Sequence, residues 1–344
     1  MAAARNERPI RLPIYEHLIN PEFMEKLLDK RFADLIEGDE ADRKQYFDIY
    51  CDFYRQMTYD TVSYEVCITE VLPEGGALLG ERAGPIQSRA DFERYPWDEV
   101  PKAFWDHAAP RFQMLSRCLP DGMKAIGGIG NGVFEVSEDL VGFEQLCYMQ
   151  VDDPELFADL FRKIGGLMLD LWETFLSRFA KDYAICRIGD DMGFKTATLM
   201  APSTFIEHVV PRYRRIARLI RAKGYPFLFH SCGKIFDIMD ELIAAGIDAK
   251  HSNEDVIAPF DEWIERYGNR IGLFGGIDTD LLCRRQPDAL FDLVLERGAR
   301  FRQNARGYVL GSGNSIPDYV PVEGYLAMIR AAQELRRREL TAAP

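Results

Sequence analysis

The feature that most constrains the fold of this chain is a repeated unit. A short apolar segment, a glycine-rich or polar cluster and a stretch with helical spacing follow one another along most of the sequence. Seven apolar segments read as strands, at residues 62–70, 124–130, 184–188, 227–230, 249–254, 271–274 and 308–310. Strands that alternate with helices form parallel β/α units, and 344 residues suit a closed (β/α)₈ TIM barrel. The sequence therefore predicts an α/β protein of this kind.

An open, doubly wound sheet is the alternative that the same alternation allows. The glycine-rich run from Gly128 to Gly132 does not have the Gly-x-Gly-x-x-Gly spacing of a dinucleotide site. For the barrel, we expect a single domain in which residues 1–60 form an N-terminal helical segment packed on a catalytic barrel of residues 61–344.

Charge and composition exclude several classes of protein. The net charge of −13 opposes nucleic-acid binding, which requires clustered cations. No apolar run approaches the roughly 18 residues that span a bilayer, and the N-terminus has no apolar signal-peptide core. The seven scattered cysteines do not resemble a disulfide framework and fit a reducing compartment. The expectation is a soluble, cytoplasmic protein.

A candidate metal site follows the strand that begins at Phe227. In an extended chain, His230 and Cys232 lie on the same side, so both can face one point. Such a nitrogen and sulfur pair suits zinc, which takes three or four protein ligands. We predict Glu254 as the third ligand, although an ion pair with Lys250 or Arg266 is the alternative for this carboxylate.

The alternative for the pair itself is ordinary packing, because a buried cysteine often acts as a small hydrophobic residue. By the same alternation of faces, His251 is expected to point away from the site and to pack in the core.

Other polar residues follow the predicted strands, where TIM barrels carry their active sites. The adjacent acids Asp190 and Asp191 can bind a substrate cation or a metal, with helix capping or solvation as the alternative. Their expected catalytic role is to orient the substrate or to supply a proton. Glu70 is a further candidate acid or base. The predicted substrate-binding residues are Asn131, Asp278, Ser312 and Asn314.

An ordered set of motifs resembles the uroporphyrinogen decarboxylase superfamily. The set comprises Gly189-Asp190-Asp191-Met-Gly, Pro202-Ser203 opening a helix, Phe229-His230-Ser231-Cys232-Gly233, Gly275-Gly276-Ile277-Asp278 and Leu310-Gly311-Ser312-Gly313. The resemblance implies a TIM barrel. The decarboxylases grip a tetrapyrrole with arginines in an N-terminal loop, but here Ile14-Tyr15-Glu16-His17 stands near that place, and Glu70 stands near the essential Asp. Uroporphyrinogen decarboxylase activity is therefore not expected.

The chain resembles more closely the zinc-dependent methyltransferases of the superfamily, in which a His-x-Cys pair is followed much later by a second Cys. His230 and Cys232 match this signature, whereas Ser312 stands where the second Cys is expected. The resemblance implies zinc-assisted methyl transfer between a small methylated substrate or thiol and a corrinoid (cobalamin) cofactor carried by a partner protein, and it allows a homodimer. The alternatives are a metal-free decarboxylase (carboxy-lyase) acting on a smaller acid, with Glu70 or Asp190 as the acid or base, and a binding protein without catalysis.

Overall fold

The fold is built on one curled parallel sheet. In a computed structural model, which describes residues 1–342, seven strands pair in sequence order, each with the next. They are β1 (Thr61–Cys67), β2 (Lys124–Gly130), β3 (Tyr183–Gly189), β4 (Phe227–His230), β5 (Ala249–His251), β6 (Gly272–Ile277) and β7 (Tyr308–Ser312). The predicted α/β class and all seven strand positions are confirmed. β1 is shorter than predicted, because residues Ile68–Val71 turn into a 3₁₀ helix that contains Glu70.

The prediction of a closed eight-stranded barrel is wrong in one respect. β1 and β7 do not pair with each other, so the sheet is barrel-like but open. The segment after Pro13 lies against β7, where Tyr15 N–H donates to the Leu310 carbonyl at 2.9 Å and Ile14 forms an isolated parallel bridge with Leu310. Leu310 N–H donates back to the Pro13 carbonyl at 3.0 Å, and a second isolated bridge joins Ile19 to Ile316. Between these two bridges the segment bonds to side chains, as the His17 carbonyl does to Ser63, so no continuous ladder forms.

Helices connect the strands and cover the outside of the sheet. In chain order they are α1 (Pro21–Leu28), α2 (Glu40–Gln56), α3 (Arg89–Arg94), α4 (Val100–Cys118), α5 (Val133–Val141), α6 (Phe143–Asp152), α7 (Pro154–Arg178), α8 (Pro202–Thr204), α9 (Val210–Ala222), α10 (Phe236–Ala245), α11 (Phe260–Tyr267), α12 (Thr279–Arg284), α13 (Pro287–Asn304) and α14 (Val322–Ala342). A π-helical turn, Phe205–Val209, joins α8 to α9. Among the described helices, none combines the length and the apolar character that a membrane span requires.

The N-terminal helices pack on β1 through aromatic side chains. Asn20 caps α1 by accepting hydrogen bonds from the backbone of Glu22 and Phe23, and Pro21 occupies the first turn. On α2, Tyr50 donates to the Ser63 carbonyl of β1 at 2.7 Å, and Phe47 meets Tyr64 edge to face. The Ser63 hydroxyl of β1 donates to the His17 carbonyl, and the Ser312 N–H of β7 donates to Glu16, which holds both residues at the carboxyl edge of the sheet.

Gly233 allows the chain to turn directly after the candidate metal ligand Cys232. Its φ is +80°, and a Cβ at this position would lie 2.0 Å from the carbonyl carbon of Gly193. Gly122 has nearly the same φ, +79°, but a Cβ there would meet nothing within 4 Å. Both glycines are therefore in the left-handed region, and only one of them is also in close contact with another backbone segment.

We expect Gly233→Ala to destabilise the protein by about 3 kcal/mol or more, since left-handed strain adds to a backbone clash. Gly122→Ala serves as the matched control and should cost only about 1–2 kcal/mol, for the strain alone. Urea unfolding of the two variants measures the difference. Equal midpoints would contradict a tight Gly193–Gly233 contact.

Candidate metal centre

Three side chains from two neighbouring strand ends meet at the carboxyl edge of the sheet. Within residues 1–342, ligating atoms of Asp191, His230 and Cys232 all lie within 4.8 Å of one another. The His230 Nε2 atom is 3.6 Å from the Cys232 sulfur and 3.7 Å from an Asp191 oxygen. β3 and β4 pair so that Gly189 lies beside His230, which places the two loops that follow in contact. An oxygen, a nitrogen and a sulfur donor therefore face one point, as a zinc site requires.

A relay of hydrogen bonds sets the orientation of the His230 ring. His251 Nε2 lies 3.1 Å from the Ser312 carbonyl, which can only accept, so this nitrogen carries a proton. His251 Nδ1 is then an acceptor for His230 Nδ1, 2.8 Å away. Burial lowers the pKa of His251 to about 3 and the pKa of His230 well below its usual value, so both rings are neutral. The relay leaves the His230 Nε2 lone pair free and directed at Cys232 and Asp191.

The expectation that His251 points away from the site is wrong. β4 and β5 are in register with His230 opposite His251, and both rings therefore meet at the same strand ends. His251 orients His230, the candidate metal ligand, and the partners that orient a ligating histidine commonly affect metal affinity by about 10- to 100-fold.

We accordingly expect His251→Gln to weaken zinc binding by about 10- to 100-fold, because the His230 ring loses its fixed tautomer. His208→Gln, in the π-helical turn between α8 and α9, is the matched control, because this ring packs against Phe157 and Phe161 and belongs to neither group of candidate ligands among the described residues. It should bind zinc as the unchanged protein does. Competition with a zinc-chelating dye measures both affinities. Equal affinities would show that the relay does not act on the metal.

The loops that carry Asp191 and Cys232 are tied to each other. The Cys232 backbone N–H donates to Asp191 Oδ1 at 2.7 Å, and about two fifths of the Asp191 side chain remains exposed. Burial, and then the negative charge of Asp191, raises the pKa of the Cys232 thiol well above its usual value. A cation between the two would reverse that effect, because a coordinating thiol is deprotonated.

Glu254 and Asn314 lie at the rim of this cluster. The Asn314 amide donates to Glu254 Oε1 at 2.9 Å and is 3.4 Å from the Cys232 sulfur. The structure thus brings Glu254 to the site through Asn314, and neither three-atom group among the described residues includes it. Its role as the third ligand stays a prediction, as does substrate binding by Asn314.

Ser312 does not face the cluster with its side chain. Its hydroxyl bonds to the buried carboxylate of Glu16, and its backbone N–H donates to Glu16 Oε1 at 2.9 Å. Burial raises the pKa of Glu16 to about 8, even though the bonds from Ser312 oppose that rise. Only the Ser312 carbonyl reaches the site, through His251.

The remaining predicted residues are placed near the same edge with other partners. The Asp190 carboxylate accepts hydrogen bonds from the backbone of Phe134 and Glu135 at the start of α5 and from the Tyr213 hydroxyl. Burial raises the pKa of Asp190 to about 7. Asp278 accepts from the backbone of Asp280 and Asp255.

Glu70 and Asn131 lie further out, after β1 and β2. Glu70 bonds to His107 at 2.8 Å, and nearly half of its side chain is exposed. Asn131 accepts a hydrogen bond from Thr69 and donates one to Glu135. The catalytic and substrate-binding roles predicted for Glu70, Asn131, Asp190, Asp191, Asp278 and Ser312 stay predictions.

Two residues of the site carried no sequence motif. The His17 ring stacks on His230 with centroids 3.7 Å apart and planes 11° apart, and its Nδ1 is buried without a hydrogen-bond partner. Arg187 is completely buried in β3 and forms an ion pair with Glu65 at 2.7 Å. A charged residue inside the apolar strand Ala-Ile-Cys-Arg-Ile is a signal that could have indicated Arg187. His17 is brought in by the segment that lies beside β7, and nothing in the local sequence predicts that contact.

Fold and site together define an α/β protein of the barrel type with a candidate metal centre at the carboxyl ends of its strands. The chain belongs to the uroporphyrinogen decarboxylase (URO-D) family, whose model matches residues 1–335. No curated protein matches the sequence.

Solved structures give the fold. A methyltransferase from Methanosarcina mazei is similar at a TM-score of 0.77 and 15% identity, over 97% of this chain and 96% of that chain. A xylose isomerase domain protein from Alicyclobacillus acidocaldarius reaches a TM-score of 0.37 at 12% identity, over 86% of this chain and 93% of that one. A protein from Sinorhizobium meliloti reaches 0.35 at 11% identity, over 93% and 98%. The last two scores are too low to define a shared fold.

Proposed function

We propose that this protein is a zinc-assisted methyltransferase that moves a methyl group between a small methylated substrate or thiol and a corrinoid on a partner protein. The observation that carries the proposal is the convergence of Asp191, His230 and Cys232 with the His230 Nε2 lone pair left free. Family membership and the similarity in fold to a methyltransferase add support.

Two groups of side chains at this site could hold a metal ion, and Asp191, His230 and Cys232 fit zinc better than the second group does. That cluster, His17, His230 and His251, also brings three ligating atoms within 4.8 Å in the described chain. However, His230 and His251 already share a hydrogen bond between their Nδ1 atoms, and the rings of His17 and His230 are nearly parallel. Lone pairs in two stacked ring planes run side by side and do not converge. We therefore assign the metal to Asp191, His230 and Cys232, with Asp191 as the third ligand in place of Glu254.

The chain's own residues would hold and tune this site. Asp191, His230 and Cys232 would hold the zinc ion, and the bound metal would supply Lewis acidity that lowers the pKa of a substrate thiol or polarises an ether oxygen. His251 keeps the proton on His230 Nδ1, and the Asn314 amide faces the Cys232 sulfur. Asp191, which is partly exposed, lies on the side from which a substrate would enter. The corrinoid would be presented by the partner protein.

The test is methyl transfer with defined partners. Purified protein, stripped of metal and then reloaded with one equivalent of zinc, is incubated with methylcobalamin and a simple thiol, and in the reverse direction with cob(I)alamin and a methylated donor. If the proposal is correct, the corrinoid absorbance changes only when zinc is present, in at least one of these two reactions. Asp191→Asn should reduce the rate, and Asp288→Asn, on the outer helix α13, should not. Zinc-independent release of CO₂ from a small acid would instead support the decarboxylase alternative, with Glu70 or Asp190 as the acid or base.

A further inference from the structure

A cavity of about 540 Å³ lies between the ends of β1 and β2 and the segment that follows β1. Its charged lining is strongly acidic, with four carboxylates against the single cation Arg82. The acidic residues are Glu70, Glu74, Glu81 and Asp139. Leu72, Leu78 and Leu79 supply apolar walls. A cavity of this size fits a small organic molecule.

Asp139 is the observation that points to a ligand. Its residue is only 2% exposed, and Oδ1 accepts hydrogen bonds from the backbone of Gly76 at 2.9 Å and Leu78 at 3.2 Å. Oδ2, in contrast, is buried and has no hydrogen-bond partner. A buried carboxylate oxygen without a hydrogen-bond partner destabilises the folded state, so its presence here indicates that a ligand supplies the missing partner. A cation bound in the cavity would pair with this oxygen and remove the destabilisation.

The four carboxylates do not converge as three ligands of one metal ion. Within residues 1–342, the groups that bring three ligating atoms within 4.8 Å contain none of the four acids of this cavity. Acids spread around an apolar-walled space of this volume match a larger, diffuse cation. An ammonium that carries alkyl groups has that combination of charge and apolar surface.

Contacts link this cavity to the metal centre. Asn131 lines the cavity, and its amide donates to Glu135 Oε2. The Glu135 backbone N–H in turn donates to Asp190 Oδ1 at 2.8 Å, and Asp190 directly precedes the candidate ligand Asp191. A ligand held at Asp139 would therefore extend along an acidic path towards the metal ligands.

We propose that this cavity binds the positively charged end of the substrate, an alkylated ammonium, with Asp139 as its central anion. The identification of this ligand as the methyltransferase substrate rests on the proposed function, whereas its binding does not.

Isothermal titration calorimetry with choline tests the proposal, on zinc-loaded and on metal-free protein. Its uncharged carbon isostere, 3,3-dimethylbutan-1-ol, is the control ligand. We expect choline to bind one site per chain and the isostere to bind at least about tenfold more weakly. Asp139→Asn should weaken choline binding by about tenfold or more, and Glu265→Gln, an exposed acid on α11, should leave it unchanged.

Because Asp139 also holds the backbone of Gly76 and Leu78, Glu81→Gln provides a second variant at the rim. It should weaken choline binding by several-fold while the unfolding temperature is retained. Equal binding of choline and its isostere, no binding of choline, or displacement of choline by one equivalent of Ca²⁺ would each overturn the proposal. Choline binding in a protein that neither holds zinc nor transfers methyl groups would uphold this site and defeat the proposed function alone.

Discussion

His230→Ala is expected to abolish stoichiometric zinc binding. The imidazole would supply the nitrogen ligand of the proposed zinc site, and ligating atoms of Asp191 and Cys232 both lie within 4.8 Å of it. Two ligands alone do not meet the three or four that zinc sites use, so we expect the affinity to fall by at least about 100-fold. Metal analysis after gel filtration at pH 7.5 should then give less than about 0.1 equivalent in the variant, against about one in the unchanged protein.

The matched controls distinguish loss of a ligand from loss of structure. Cys186→Ala replaces another buried cysteine, which lies in β3 and is not part of the cluster, and should retain zinc. Cys232→Ala should behave as His230→Ala does. The assignment of the metal would be wrong if His230→Ala and Cys186→Ala held equal amounts of zinc while both remained folded by circular dichroism.

Arg187→Met is expected to destabilise the protein by about 3–5 kcal/mol, since it leaves Glu65 as a buried charge without its partner. The Arg187 guanidinium is completely buried and donates two hydrogen bonds to Glu65 Oε2, at 3.0 and 2.7 Å. It also donates to the Tyr15 hydroxyl and to the His17 carbonyl, at 2.9 and 2.7 Å. One side chain thus ties β3 to β1 and to the N-terminal segment that carries His17.

Urea unfolding measures this effect, and a double variant separates its two parts. Arg187→Met with Glu65→Leu removes both charges and should recover a large part of the loss, because no unpaired charge remains. Arg266→Met, which breaks the exposed ion pair with Glu262, is the control and should cost less than about 1 kcal/mol. A loss of the same small size at Arg187 would contradict the role of this ion pair in the core.

The sequence by itself determined the fold class and the position of each strand. Alternation of short apolar segments with helical periodicity is a local property, and burial of those segments follows from their composition. The sequence also predicted that His230 and Cys232 would lie on one face, because backbone geometry fixes the period of two in an extended chain. The helices α3, α5, α6 and α12 were not predicted, since each is ten residues long or shorter and offers too few turns for a period of 3.6 to be recognised.

Only the tertiary structure decided which residues complete the site. His251 contacts His230 because β4 and β5 are in register, and Ser312 turns to Glu16 because the N-terminal segment lies beside β7 instead of an eighth strand. Of the two adjacent acids, Asp191 is the one that meets His230 and Cys232, through the contact of the β3 and β4 loops. These contacts join residues that are tens to hundreds of positions apart. They depend on the register of the strands and on the position of the N-terminal segment beside β7. Hydrophobic periodicity carries no information about either.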